Sequence, residues 1–211
     1  IVCSGDVPPP SMDPVTGTSN VQVGGSGLGA MDVSSGDHVV SGTTWAAFDP
    51  GSGGILKIAG PTTSWTTDFA LQIGLWGMGS MLIENGAVVT ANHADLSPYC
   101  PCPSSLGDRS GSSGVITVRT GATLNIDDGD GLSDFDNWLT YGELIVGGGG
   151  TFDSGTAGPA PGVLNISEGG TVNVVAMAIS AWGDSSHGSV NIQGTNSTLT
   201  SIRGISVAPA R

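Results

Sequence analysis

Five aspartates in one short stretch are the residues of this chain best suited to holding an ion. In Asp127-Asp128-Gly-Asp130-Gly131-Leu-Ser-Asp134-Phe-Asp136-Asn137, carboxylates recur at near-alternate positions around two glycines. Oxygen ligands so spaced can wrap one Ca2+, and a glycine lets the loop turn sharply between them. Asp128, Asp130, Asp134 and Asp136 are the candidate ligands, for an ion that would be structural; no other cofactor is required. An acidic loop facing water accounts for the same residues. Cys3, Cys100 and Cys102 are the second set. In an exported protein cysteines usually pair. A direct Cys100–Cys102 bridge is strained, so a bridge from Cys3 to Cys100 or Cys102, within one chain or between neighbours, is expected. His93 with Cys100 and Cys102 lacks the cysteine spacing of a zinc site.

The aspartate stretch resembles the calcium loops of EF-hand and dockerin type. The likeness puts Ile126 in the first ligand place and Asn137 where a bidentate Glu is usual. For acid–base or nucleophilic catalysis the chain offers little. Lys57, Arg109, Arg119, Arg203 and Arg211 stand apart in sequence, and His38, His93 and His187 have no serine or cysteine at an interpretable spacing. Asp127 and Asp128, as strand neighbours, would point to opposite faces. No enzymatic activity is expected; a polysaccharide-active enzyme is the least favoured reading.

The elements that would position these residues come from a repeat. Residues 21–40 align without a gap on residues 71–90, with identities at Gln22/Gln72, Gly24/Gly74, Gly27/Gly77, Gly29/Gly79, Met31/Met81, Gly36/Gly86 and Val39/Val89. Inside this lies a shorter unit, Gly-x-Φ-x-Φ with Φ apolar, starting at Gly29, Gly54, Gly79, Gly114, Gly142, Gly162 and Gly188. Period-two alternation is a strand signal, and a glycine after each strand can supply a corner. A further strand type appears at Val21–Val23, Leu71–Ile73, Met177–Ile179 and Ile205–Val207. A motif that returns every 20–35 residues predicts an all-β parallel β-helix, or β-solenoid, of about seven rungs. Residues 21–211 form the repeat domain, and 1–20, with four prolines, an extended arm. Ala94–Ser113 reads as the largest outward insertion, and Val172–Trp182 has a buried helix as its alternative.

Composition bounds the function. Thirty-six glycines and 12 prolines accompany enough aliphatic residues for a core. A net charge of −13 repels phosphates, arguing against nucleic acid and anionic membrane surfaces. No run of about 20 apolar residues offers a membrane span. One lysine among abundant Ser, Thr, Gly and Asn suits an exported, extracellular or cell-surface protein whose signal peptide has been removed. Asn165-Ile-Ser167 and Asn196-Ser-Thr198 are glycosylation sequons.

Units such as GVLNISEGGTVNV and GSVNIQGTNSTLT resemble repeats of bacterial autotransporter-type passenger domains and related exported β-solenoids. The resemblance implies a right-handed parallel β-helix displayed outside the cell for adhesion or as a stalk. Since the repeat begins and ends on the same strand type, copies are expected to stack head to tail into a filament. Val21 and Val23 would meet Ile205 and Val207 at that joint. Ile1, Val2 and Cys3 of the arm would link to the neighbour, the alternative being an arm folded over its own first rung. The competing reading is an adhesin or glycan-binding stalk fragment, with Trp45, Trp65, Trp76, Trp138 and Trp182 as its sugar contacts, the alternative for these rings being packing under loops.

Overall fold

The computed structural model describes residues 1–6, 20–34, 36–92, 94–96, 112–127, 143–147, 160–179 and 186–207. After β1 (Val2–Gly5) the chain passes six times through a triplet of strands. The triplets are β2 (Val21–Val23), β3 (Leu28–Val33) and β4 (His38–Ser41); β5 (Thr44–Ala46), β6 (Gly53–Ala59) and β7 (Ser64–Thr67); and β8 (Leu71–Ile73), β9 (Met78–Glu84) and β10 (Val88–Ala91). They continue as β11 (Ala94–Leu96), β12 (Ser113–Val118) and β13 (Thr123–Ile126); β14 (Glu143–Val146), β15 (Ala160–Ile166) and β16 (Thr171–Val174); and β17 (Ala176–Ile179), β18 (Ser186–Ile192) and β19 (Thr198–Ser201). The strand β20 (Ile205–Val207) follows.

From β2 to β17 each strand pairs with the strand three further on, and β1 pairs with β3, which sorts them into three sheets. The first runs β1-β3-β6-β9-β12-β15-β18, the second β4-β7-β10-β13-β16-β19 and the third β2-β5-β8-β11-β14-β17-β20. Every pairing is parallel except β1 on β3. In-register pairing stacks like on like, so the Φ positions become columns through one buried core. Met31, Leu56, Met81, Ile116 and Leu164 form one such column on the first sheet, and Val33, Ile58, Ile83, Val118 and Ile166 another. Alternating residues on the same strands face outward.

The starting glycine of the unit has a steric cause. At Gly24, Gly74 and Gly147, where the chain leaves the third sheet, φ is +72°, +78° and +77°. A Cβ there would collide with the carbonyl oxygen of Gly53, Ser113 or His187 respectively, each just before the starting glycine of the next rung's first-sheet strand. Gly54 and Gly79 in turn press against the backbone of a corner, Ala46–Ala47 and Gly74. Two backbones cross closely at this corner, and it is taken by glycine at Gly24, Gly74 and Gly147 and by the smallest side-chain-bearing residue, Ala47, at φ +62°.

The opposite corner, between the first and second sheets, tolerates side chains at positive φ. Asn85, Thr120 and Glu168 sit there at φ +56°, +53° and +51°. The turns stack, with the Gly86 amide donating to the Thr120 carbonyl and the Gly121 amide to that of Glu168. Asparagine adopts this conformation readily, whereas a β-branched residue is strained in it. Thr120→Asn is therefore expected to raise stability by about 1 kcal/mol, even though it gives up the exposed Thr120 Oγ1–Glu168 Oε2 bond. A chemical-denaturation midpoint equal to or below that of the parent would contradict this.

Several sequence expectations change. The Gly142 unit does not join the first sheet: β14 pairs with β11 and β17 in the third. Its Φ-x-Φ pattern serves any face, because alternation marks burial and not which sheet buries it. The described residues thus make six triplets, not seven rungs. The Ala94–Ser113 insertion is shorter than its sequence suggested, since β11 opens it and β12 begins at Ser113. Val172–Trp182 is not a helix as far as it is described; β16 and β17 run through it to Ile179.

Candidate functional site

The two ends of the stack are unlike. At the N-terminal end the arm turns back on its own chain: Val2, Cys3, Ser4 and Gly5 lie antiparallel against Asp32, Met31, Ala30 and Gly29. Ile1 stands beside Asp37, its amino nitrogen 2.7 Å from the carboxylate. The expected link from Ile1, Val2 and Cys3 to a neighbour is thus replaced by pairing to β3, whose outer edge would otherwise leave its amides and carbonyls unpaired. The arm imitates a rung corner. Gly5 has φ +73° and abuts the Leu28 carbonyl, and the Asp6 carbonyl accepts from Gly24 as that of Ala46 does from Gly74. The Asp6 carboxylate takes the amides of Ser26 and Gly27 at 2.6 and 2.9 Å, and those bonds, Ser26 first, hold it below the usual carboxylate range.

At the other end the described residues leave apolar side chains of the last strands uncovered. Ile192, Ile205 and Val207 are 48, 47 and 66% exposed, whereas Ile166, one rung earlier in the column of Ile192, is fully buried. Ile202 also faces solvent there, while Val190 and Leu199 are only partly buried. Polar columns reach the same edge. Asn191 donates to Asn165 Oδ1 at 2.9 Å and Thr198 Oγ1 to Thr171 Oγ1 at 3.3 Å, so both outward ladders arrive at β18 and β19 still in register. The terminal strands β2 and β20 belong to one sheet, as their shared sequence type implied. Val21 and Val23 point into the core at one end of it, and Ile205 and Val207 lie at the other.

Among the basic residues, Lys57 and Arg119 do not stand apart. Both meet Glu84, Lys57 Nζ at 3.3 Å from Oε1 and Arg119 at 3.0 Å (Nε) and 2.7 Å (Nη2) from Oε2. The rung repeat brings residues 35 positions apart in sequence onto neighbouring strands, which inspection of linear spacing missed. Glu84 is nearly buried, and hydrogen bonding from Arg119, then from Lys57, holds its carboxyl below the ordinary glutamate value. A carboxylate kept ionised between two cations stabilises the fold and is poorly placed to exchange protons near neutrality. Its stabilisation is complete above the unfolded glutamate pKa of about 4.3 and is lost as pH falls through the lower folded value. Stability is thus expected to drop on acidification below about pH 4, and Glu84→Gln to lower stability at neutral pH while flattening that slope. An unchanged slope in the variant would assign the acid sensitivity elsewhere.

His38 also has a partner that sequence spacing did not suggest: its Nδ1 lies 2.8 Å from Ser64 Oγ on the adjacent strand. The pair is exposed on the open second sheet, and the signal for it was the rung offset of 26 residues. Trp65 leaves the set of sugar contacts, being fully buried, whereas Trp45 and Trp76 remain partly exposed and share Phe48 between them. Cys3 is exposed and forms no disulfide among the described residues. Cys100, Cys102, His93, Trp138 and Trp182 lie outside the described residues, as do the calcium candidates Asp128, Asp130, Asp134 and Asp136. Among the described residues no group of three or more His, Cys, Asp or Glu side chains is placed to hold a metal ion. Compared with known proteins, the chain matches no family model, no curated protein and no solved structure.

Proposed function

We propose that the chain is a non-catalytic structural protein, an exported β-solenoid of the kind its repeats resemble, that assembles head to tail into an extracellular filament. In this reading the three sheets are the faces of one solenoid, and a second copy covers the open rung of β18, β19 and β20. The observation that carries the reading is the exposure of Ile192, Ile205 and Val207 at positions whose rung-mates form the core. Apolar side chains presented on unpaired strand edges favour a matching layer. At the opposite end β1 and β2 are the outermost strands of the first and third sheets, so a neighbour's β1 and β2 would meet β18 and β20. Exported placement is supported by the acidic, lysine-poor, Ser- and Thr-rich composition.

Sedimentation velocity and negative-stain microscopy test this together. The parent chain is expected to form rods that lengthen with concentration, and Ile205→Arg, which sets a charge on the open face, to remain monomeric with its denaturation midpoint unchanged. A parent that stays monomeric at its highest soluble concentration would overturn the filament.

A further inference from the structure

We propose that the corner carrying Trp45, Phe48 and Trp76 binds a neutral polysaccharide, a function separate from assembly at the open end. Trp45 lies on the outward side of β5, Phe48 follows in the turn to β6, and Trp76 occupies the equivalent turn one rung later, between β8 and β9. The rungs bring the three rings into series: Phe48 meets Trp45 edge-on with centroids 5.4 Å apart and Trp76 at a tilt with centroids 5.5 Å apart. All three keep part of their surface in solvent. The step between rings is comparable to the length of one pyranose unit in an extended glycan. The rings stand at 68° and 49° to one another, so a glycan following them would twist as it sets the C–H face of each sugar against an exposed aromatic surface.

Polar groups stand where hydroxyls would need them. Register places Gln22 and Gln72 on either side of Trp45 in one outward column. The Trp45 indole donates to Gln72 Oε1 at 2.7 Å, a bond that orients both side chains and uses only the acceptor half of that carboxamide. The Trp76 Nε1–H is shielded from solvent and has no acceptor among the described residues, a condition that native structures seldom leave unexplained. That atom is closed to a ligand as it is to water, so the carboxamide nitrogen of partly exposed Gln72 is the donor that a glycan hydroxyl can reach. Leu28 and Met78, both well exposed, flank Gly53 in register on the first sheet and extend the apolar shelf. The carboxylate beside this corner, Asp49, adjoins Phe48 in the same turn, and with a net charge of −13 on the chain it disfavours a polyanion.

Affinity electrophoresis in native gels cast with hydroxyethyl cellulose, galactomannan or soluble starch tests the site, with polygalacturonate as the polyanion. The parent is expected to be retarded several-fold in at least one neutral gel, with matching quenching of tryptophan fluorescence by that polysaccharide. Trp45→Ala and the milder Gln72→Ala should each abolish most of the retardation while keeping the parent's denaturation midpoint; Ile202→Ser, at the far end, should not alter it. Parent mobility unchanged in every neutral gel, retardation in polygalacturonate alone, or retardation that survives both corner variants would overturn the proposal. Self-association without polysaccharide that Trp45→Ala removes would assign the corner to a second copy instead, and would also overturn it.

Discussion

Gly74→Ala is expected to cost roughly 3–5 kcal/mol, combining left-handed strain with overpacking against backbone. Its φ of +78° disfavours any L side chain, and the added Cβ would meet the Ser113 carbonyl oxygen, part of the rigid start of β12. Relief by backbone movement would disturb the bond from the Gly74 amide to the Ala46 carbonyl at 2.8 Å and the neighbouring Gly79, itself pressed on Gly74. Ala47 takes the in-register place one triplet earlier at φ +62°, so a large loss at Gly74 would measure the contact with Ser113 rather than the conformation alone. Gly121, also at positive φ but with open space around its Cβ position, is the comparison: Gly121→Ala carries only the conformational part, about 1 kcal/mol. Urea midpoints of the two variants check the difference; equal losses would show that the corner crossing is not what selects glycine.

Trp65→Ala should destabilise by about 3–5 kcal/mol through the cavity it leaves. The ring is fully buried in a column otherwise held by Val39, Val89, Leu124 and Val172. Room for it comes from small neighbours: Ser41, Thr44 and Thr67 lie buried around it, and its Nε1 donates to Ser41 Oγ and Thr44 Oγ1, both at 3.2 Å. Those hydroxyls also bond one another at 2.9–3.3 Å, so removing the ring leaves a void with partly satisfied polar walls. Trp65→Phe keeps most of the volume and should lose less than half as much. A Trp65→Ala loss below about 1 kcal/mol would mean the rungs close over the gap.

These two residues show where sequence reasoning reached and where it stopped. Gly-x-Φ-x-Φ was legible because it is a local consequence of a repeated crossing, and Gly29, Gly54 and Gly79 meet backbone in the same way. Trp65 stood open between a sugar contact and a packed ring because nothing local decides between the two. Its environment is made by Ser41 from the preceding triplet and Thr44 from its own, contributing small side chains to adjacent columns. Glu84 with Lys57 and Arg119, and His38 with Ser64, were missed for the same reason: their contacts run between rungs, at offsets set by loops of unequal length.

The sequence alone determined the alternation, the glycine corners, the strand type shared by β2 and β20, and so the all-β character with like residues placed at like positions. These follow from the steric preferences of single residues and from period-two burial, which need no distant partner to be read. The tertiary structure decided which sheet each strand joins, as for β14, and that the arm folds back on β3. It also decided which apolar residues stay uncovered at the open end. Those outcomes depend on what lies one rung away, and stacking distance in space is not encoded by any one residue but by the packing of all the rungs between.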